Sequence, residues 1–169
     1  MHPSYLGACE KEGRFLNEED FEWSAKSANK LGHAAKFWRR YLKSGEGKGG
    51  AFGGWKCLLF VERQKNESFS KLLGQGGAVV ETGQLPLTKA VKDKSFTFIV
   101  VEASRLSSKL IQALKKLALE PGSPPMIVGP EFIAHYLQVV EGESFSRDPQ
   151  KRMMELAQKH QISLPDQGK

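Results

Sequence analysis

The side chains able to do chemistry in this chain do not form a catalytic pattern. The four histidines show no metal-ligand spacing, standing at His2, His33, His135 and His160. No Cys–His pair, nucleophile elbow or phosphate-loop motif occurs, and the glycine-rich run from Gly45 to Gly54 contains no Gly-Lys-Ser/Thr. We therefore expect no enzyme activity, no cofactor, no metal and no small-molecule substrate.

Positive charge is concentrated in one stretch of the chain. The formal net charge is +6, and the residues from Ser24 to Gly50 include seven bases against a single acid, Glu46. Such a stretch can contact phosphate groups or an acidic partner, or it can be the solvated face of a helix. The candidates for contact with DNA or an acidic partner are Lys36, Arg39, Arg40 and Lys43.

The cysteines and the hydropathy pattern indicate the compartment. Cys9 and Cys57 are far apart in the sequence, and Cys57 stands in an apolar run where a buried thiol is expected rather than a disulfide. We expect a reducing compartment. No stretch approaches the roughly 20 apolar residues that cross a bilayer, so no membrane contact is expected.

The N-terminal third predicts short helices and a linker. Residues Pro3–Lys11 carry a short helical stripe, and Ala34–Lys43 place Phe37 and Tyr41 four positions apart with the bases on the other side. The following tract, Ser44–Gly54, contains six glycines and is predicted to be a flexible linker.

Strand and helix patterns alternate over the next ninety residues, from Gly50 to Glu141. Apolar runs predict four strands, at Trp55–Val61, Ala78–Glu81, Phe96–Val101 and Met126–Val128. Helical spacing predicts helices at Ser68–Leu73, from Leu106 to Leu117, and from Pro130 to Val140. The order βαββαβα predicts a mainly parallel sheet with helices on both faces.

Polar segments and a terminal helix complete the expected layout. Glu62–Glu67 and Gly83–Lys94 are predicted loops. Pro149–His160 predicts one more helix, with Met153, Leu156 and Ala157 on its apolar side, and the tail after Ser163 is expected to be disordered.

This element order resembles the BRCT domain. The resemblance covers Gly50–Glu141 and rests on the order of elements, on Gly76-Gly77 after the first helix, and on an aromatic residue opening the last helix. In Gly-Pro-Glu-Phe-Ile-Ala-His-Tyr, Phe132 stands where the family usually has tryptophan, and Tyr136 where it usually has a small residue. The resemblance implies an α/β fold with a small parallel four-stranded sheet flanked by helices and preceded by a helical and linker extension.

The N-terminal segment is similar to the end of another BRCT repeat. His-Pro-Ser-Tyr-Leu-Gly-Ala-Cys and Gly-Arg-Phe-Leu-Asn-Glu-Glu-Asp-Phe-Glu-Trp look like the last helix and exit segment of a preceding repeat. We therefore expect most of that first repeat to lie outside this chain. The resemblance implies a repeat remnant over 1–23, a basic linker with a helix over 24–49, a BRCT domain over 50–145, and a C-terminal helix and tail over 146–169.

The resemblance implies a docking function without catalysis. Tandem BRCT pairs bind phosphoserine or phosphothreonine peptides. The resemblance implies that this chain is part of a nuclear scaffold in the DNA-damage response and replication checkpoint, with phosphorylated checkpoint or repair proteins as partners. Phosphate capture needs a hydroxyl and a backbone N–H after the first strand and a lysine at the start of the second helix, and the first repeat supplies them. Here Glu62 follows the strand and would repel phosphate, so we expect no phosphate pocket in this chain.

The same resemblance assigns roles to individual residues. The groove candidates are Arg63 and Lys65, in the predicted loop, and Lys109, at a helix start; each can also be a solvated base. The candidates for packing against the other repeat are Tyr5, Leu6, Phe69, Leu72, Phe132 and Tyr136. The helix faces around Phe69 and Leu72 and around Phe132 and Tyr136 are expected to be exposed here. The alternative function is a DNA-binding module that uses the basic segment 26–48.

Overall fold

The fold is built on a parallel sheet, seen in a computed structural model that describes residues 3–21, 34–45, 47–87, 96–119, 124–138 and 148–164. Its strands are β1 (Lys56–Phe60), β2 (Val79–Thr82), β3 (Phe98–Val101) and β4 (Met126–Val128). They pair in the order β2-β1-β3-β4, and every pair is parallel. The predicted α/β class, with a small parallel four-stranded sheet flanked by helices, is confirmed.

Six helices are present in the described part of the chain. They are α1 (Ser4–Glu12), α2 (Ala34–Lys43), α3 (Arg63–Gln75), α4 (Ser108–Ala118), α5 (Glu131–Leu137) and α6 (Pro149–Lys159). Short 3₁₀ turns occur at Glu18–Phe21 and Ala103–Arg105. None of the helices in these ranges has the length and apolar composition of a membrane span. Several predictions concern residues outside the described ranges, namely His2, Lys26, Lys30, His33, Val140 and the tail from 165.

Helix α3 starts earlier than the sequence predicted. Glu62 is extended, with φ −60° and ψ 145°, and the helix begins at the next residue. The segment Glu62–Glu67 is therefore not a loop, because all but its first residue belong to α3. Leu73 is the buried residue of this helix. Its polar first turns face solvent, which explains why the apolar pattern did not reveal them.

The sheet separates two apolar layers. Side chains alternate along a strand, so Cys57 and Leu59 of β1 face one layer while Leu58 and Phe60 face the other. The first layer is covered by α2, α3, α5 and α6, and the second by α4. Burial raises the pKa of the Cys57 thiol to about 12, so this cysteine is an unreactive core residue.

An aromatic cluster forms the centre of the first layer. The ring of Trp55 lies 4.5 Å from that of Phe98, 5.4 Å from that of Phe132 and 4.9 Å from that of Tyr136, between centroids. The tilted and offset arrangements are those that aromatic pairs favour. The cluster therefore joins the start of β1 to β3 and α5.

Helix α2 packs into this same cluster. The Trp38 ring lies 5.1 Å from the Tyr136 ring, and its Nε1 donates a hydrogen bond of 2.9 Å to the carbonyl of Leu137. Ala34 is also buried. The predicted bounds of this helix are confirmed, but its tryptophan belongs to the core of the sheet domain.

The glycine-rich tract is folded rather than extended, which corrects the expectation of a flexible linker. Phe52 is 1% exposed, and its N–H donates to the carbonyl of Gly76 over 2.7 Å. At Gly77, with φ 93°, a Cβ would lie 1.4 Å from the carbonyl oxygen of Gly49. Only glycine permits this approach of two backbone segments.

Helix α6 completes the first layer. Leu156 and Ala157 are buried, as predicted, and the Arg152 guanidinium, itself buried, donates to the carbonyls of His135 and Gln138 at the end of α5. After the helix, the N–H of Ile162 donates to the carbonyl of Ile127 over 2.9 Å, and a bridge joins Gln161 to Val128. This antiparallel segment lies along the outer edge of β4.

We expect Trp38→Ala to lower the free energy of unfolding by about 3–5 kcal/mol, because it removes a buried indole and its hydrogen bond from the aromatic cluster. Urea unfolding of the two proteins measures this. Leu42→Ala, at a 46% exposed position of the same helix, is the control and should change stability by about 0.5 kcal/mol or less. Equal effects of the two substitutions would show that α2 is outside the cooperative unit.

Candidate functional site

The carboxyl edge of the sheet brings together charged residues that are far apart in the sequence. Parallel strands end at the same edge, which is where ligands bind in open α/β sheets. Glu62 follows β1 as the residue before α3, and Lys65 lies in the first turn of that helix, while Glu102 and Ser104 follow β3. Because β1 and β3 are neighbours, these four residues meet, and we call them the edge cluster.

The edge cluster is connected by hydrogen bonds and ion pairs. The Glu102 carboxylate accepts from the backbone N–H of Glu62 over 3.0 Å and from the Lys65 ammonium. Lys65 Nζ also lies 3.6 Å from Glu62 Oε2, and Ser104 Oγ donates to Glu62 Oε1 over 3.3 Å. The Glu102 side chain is only 15% exposed, against 51% for Lys65, so the carboxylate forms the inner part of the cluster.

The contacts of the cluster shift the protonation equilibria of its two central groups. The hydrogen bond from Lys65, followed by that from the Glu62 N–H, lowers the pKa of Glu102. The hydrogen bond to Glu102 raises the pKa of Lys65. Both groups are therefore held in their charged forms around neutral pH.

A helix start that offers a backbone N–H and a lysine is a natural anion site, and here the chain supplies the anion itself. Glu102 receives the donors that a phosphate would need at this place. A second carboxylate, that of Glu62, lies beside it. The arrangement disfavours phosphate at the edge of this domain.

A cavity of about 320 Å³ opens beside the edge cluster. Among the described residues that line it, Phe60 and Leu110 are apolar, Ser104 and Ser107 carry hydroxyls, and Arg105 is the one charged residue. Ser107 is also the N-cap of α4, accepting from the N–H of Leu110 over 3.3 Å. These groups can bind a side chain, but in the described lining no acid and base stand together for proton transfer.

The groove candidates do not share one environment. Lys65 belongs to the edge cluster, so its ammonium is already paired within the chain. Arg63, at the first position of α3, and Lys109, at the second position of α4, are exposed. A ligand at this edge would meet Arg63 and Lys109 more readily than Lys65.

The candidates for packing against another repeat divide into exposed and buried residues. Leu6 is 71% and Leu72 42% exposed, while Phe69 is partly buried against the first layer. An exposed face is expected around Phe132 and Tyr136, but both side chains are buried, and Tyr5 is buried as well. Tyr5 packs on Phe21, and the other two lie inside the aromatic cluster.

The basic face of α2 is partly neutralised by an acid. Arg39 forms an ion pair with Glu19, and Lys43 Nζ lies 3.5 Å from the same carboxylate. Lys36 and Arg40 have exposed side chains. Of the four candidates for contact with DNA or an acidic partner, these two are therefore the better placed.

The fold also brings two histidines together, which their spacing in the sequence did not indicate. Nδ1 of His135, on α5, lies 2.7 Å from Nε2 of His160, just after α6. Partial burial, then the neighbouring His135 and Lys159, lower the pKa of His160. The two residues are 25 positions apart and meet only because α6 packs on α5. In the described ranges, no group of three or more His, Cys, Asp or Glu residues could hold a metal.

No protein-family model matches the sequence. The geometry and the sequence motifs therefore carry the functional argument.

We expect Glu102→Gln to reduce the loss of stability on acidification. A depressed carboxyl pKa stabilises the fold above the ordinary value of 4.5, and that contribution is lost as the pH falls through the lower folded value. The difference in free energy of unfolding between pH 7 and strongly acidic pH, from urea titrations, should be smaller in the variant. Glu67→Gln, which removes an exposed pair with Lys71, is the matched control and should leave the difference unchanged.

Proposed function

We propose that this chain contains a BRCT-type docking domain without catalytic activity, which binds other proteins as part of a larger scaffold. The observation that carries the proposal is the all-parallel sheet in the order β2-β1-β3-β4, with Gly76-Gly77 in the connection from α3 to β2. The BRCT-like sequence motifs fall on these elements. A fold alone does not define a function, so the motifs are needed as well.

Within that class, we propose a relationship to the carboxyl-terminal BRCT pair of DNA topoisomerase II-binding protein. The motifs that resemble it are Phe-Trp-Arg-Arg in α2, Gly-Ala-Phe-Gly-Gly-Trp-Lys leading into β1, and Lys-Leu-Leu-Gly-Gln-Gly-Gly-Ala from the last turns of α3 to the residue before β2. The proposed setting is a nuclear scaffold in the DNA-damage response and replication checkpoint. The proposed partners are phosphorylated checkpoint or repair proteins.

The edge cluster supports a division of labour between two repeats. Its donors are used by Glu102, so we propose that the phosphate of a ligand is bound by a neighbouring repeat. Arg63 and Lys109 are exposed at the carboxyl edge of this sheet, and they can pair with acidic residues elsewhere in the ligand.

The test compares this chain with the same chain preceded by a complete BRCT repeat, for binding of an acidic phosphoserine peptide and its unphosphorylated form. We expect only the longer protein to prefer the phosphorylated peptide. In that protein, Lys109→Glu should weaken binding about two- to fivefold, because it reverses one exposed ion pair. Lys116→Glu, also exposed on α4, is the matched control. Equal tight binding of the phosphopeptide by both proteins would contradict the proposal.

The second candidate function is direct DNA binding, which the exposure of Lys36 and Arg40 on one helix favours. Contacts with phosphates make such binding fall steeply with salt. We expect Lys36→Glu/Arg40→Glu and the charge-matched control Lys109→Glu/Lys116→Glu to have the same weak affinity for unrelated duplex DNA, measured by fluorescence anisotropy over a salt series. A selective loss in the first variant, with a smaller salt slope, would instead support DNA binding through α2.

A further inference from the structure

The two histidines that meet at the end of α6 come from separate elements. His135 lies in the last turn of α5, and His160 is the residue directly after the last residue of α6. Their ring centroids are 4.7 Å apart, at an interplanar angle of 49°, and one nitrogen of each ring points at the other over 2.7 Å. A neutral imidazole presents one lone pair on a ring nitrogen, which is the group that binds transition metals.

We propose that His135 and His160 form a binding site for a divalent transition-metal ion, which displaces the hydrogen between the two facing nitrogens. That hydrogen moves through solvent to the other nitrogen of the same ring, so both imidazoles stay neutral and each offers a lone pair to the ion. In the described ranges no third His, Cys, Asp or Glu completes a larger ligand group. Water fills the other coordination positions.

The separation of the two nitrogens selects the geometry of the ion. Two nitrogens about 2.0–2.1 Å from a metal are about 2.9 Å apart at a right angle, and about 3.3–3.4 Å apart at a tetrahedral angle. For the first arrangement the present 2.7 Å must open by only a few tenths of an ångström, and the two rings must turn so that their lone pairs converge on the ion. Right-angled coordination by nitrogen and oxygen suits Ni²⁺ and Cu²⁺, so these ions fit better than Zn²⁺.

The surroundings allow an ion to enter. His135 is exposed and His160 partly exposed, so hydrated ions reach the facing nitrogens. Glu131 stands one helical turn before His135 and favours positive charge at His160, whereas Lys159 opposes it. The carbonyl of His135 accepts from the Arg152 guanidinium, which holds the α5 end of the site in position.

The ion would tie together the end of α5 and the segment that follows α6. That segment is otherwise attached through the carbonyl of His160, which accepts from the N–H of Gly129 over 3.3 Å, and through the pairing with β4. The unfolded chain has no preformed pair of histidines, so an ion at this site stabilises the native state.

The test is titration of the chain with Ni²⁺ by calorimetry, with thermal unfolding at each ion concentration, and Mg²⁺ as the control ion. We expect Ni²⁺ to bind and to raise Tm, and Mg²⁺ to do neither. His135→Gln and His160→Gln should each weaken Ni²⁺ binding at least about tenfold, since even changes beyond the direct ligands cost that much. The double variant should bind at least as weakly as either single variant, because it lacks both ligands. Lys159→Gln should bind at least as tightly as the parent chain.

Thermal unfolding without metal shows whether each variant is folded, and the two single variants test the pair independently. Absence of Ni²⁺ binding by the parent chain would overturn the proposal. A loss smaller than tenfold in either folded single variant would also overturn it, because the ion would then be bound adventitiously elsewhere, at His2 or His33 for example.

Discussion

The packing of Trp55 against Phe98, Phe132 and Tyr136 is the interaction on which the rest of the structure depends. It connects the entry to the central strand with its neighbouring strand and with α5, and Trp38 extends it to α2. Tyr136 adds a polar link, since its hydroxyl donates to the carbonyl of Ala51 over 3.0 Å. Large rings bury much area with few rotatable bonds, so a small sheet gains a well-defined core from them. The segment before β1, which the sequence predicts to be a linker with a helix, is therefore part of the domain through α2 and Phe52.

Close contacts between glycines bring the tract before β1 against the turn after α3. Gly49 and Gly50 lie against Gly76 and Gly77 so closely that side chains are excluded between them. This close approach holds Phe52 in the first layer, with the centroid of its ring 4.9 Å from that of Trp55. The turn after α3 and the tract before β1 are therefore one packed unit, although Gly76 comes 26 positions after Gly50 in the sequence.

Regular apolar patterns made much of the fold predictable. The bounds of Ala34–Lys43 and Met126–Val128 agree with the structure, because the first has an amphipathic helical pattern and the second is a continuous apolar run. The start of α3 was missed because its first turns are polar, and the fold of the glycine tract because it depends on a distant turn. The edge cluster could be predicted only in part. The sequence alone shows that Glu62 would repel phosphate, but Glu102 is 40 residues away and meets Glu62 only through the pairing of β1 with β3.

The segment after α6 also affects how the molecule meets copies of itself. Exposed strand edges carry unpaired backbone groups that can template association with other chains. Beside β4, residues Gln161 and Ile162 occupy those groups and shield this side of the sheet. Detachment of these few residues near the carboxyl end of the described chain would therefore expose the backbone groups of β4 to pairing with another chain.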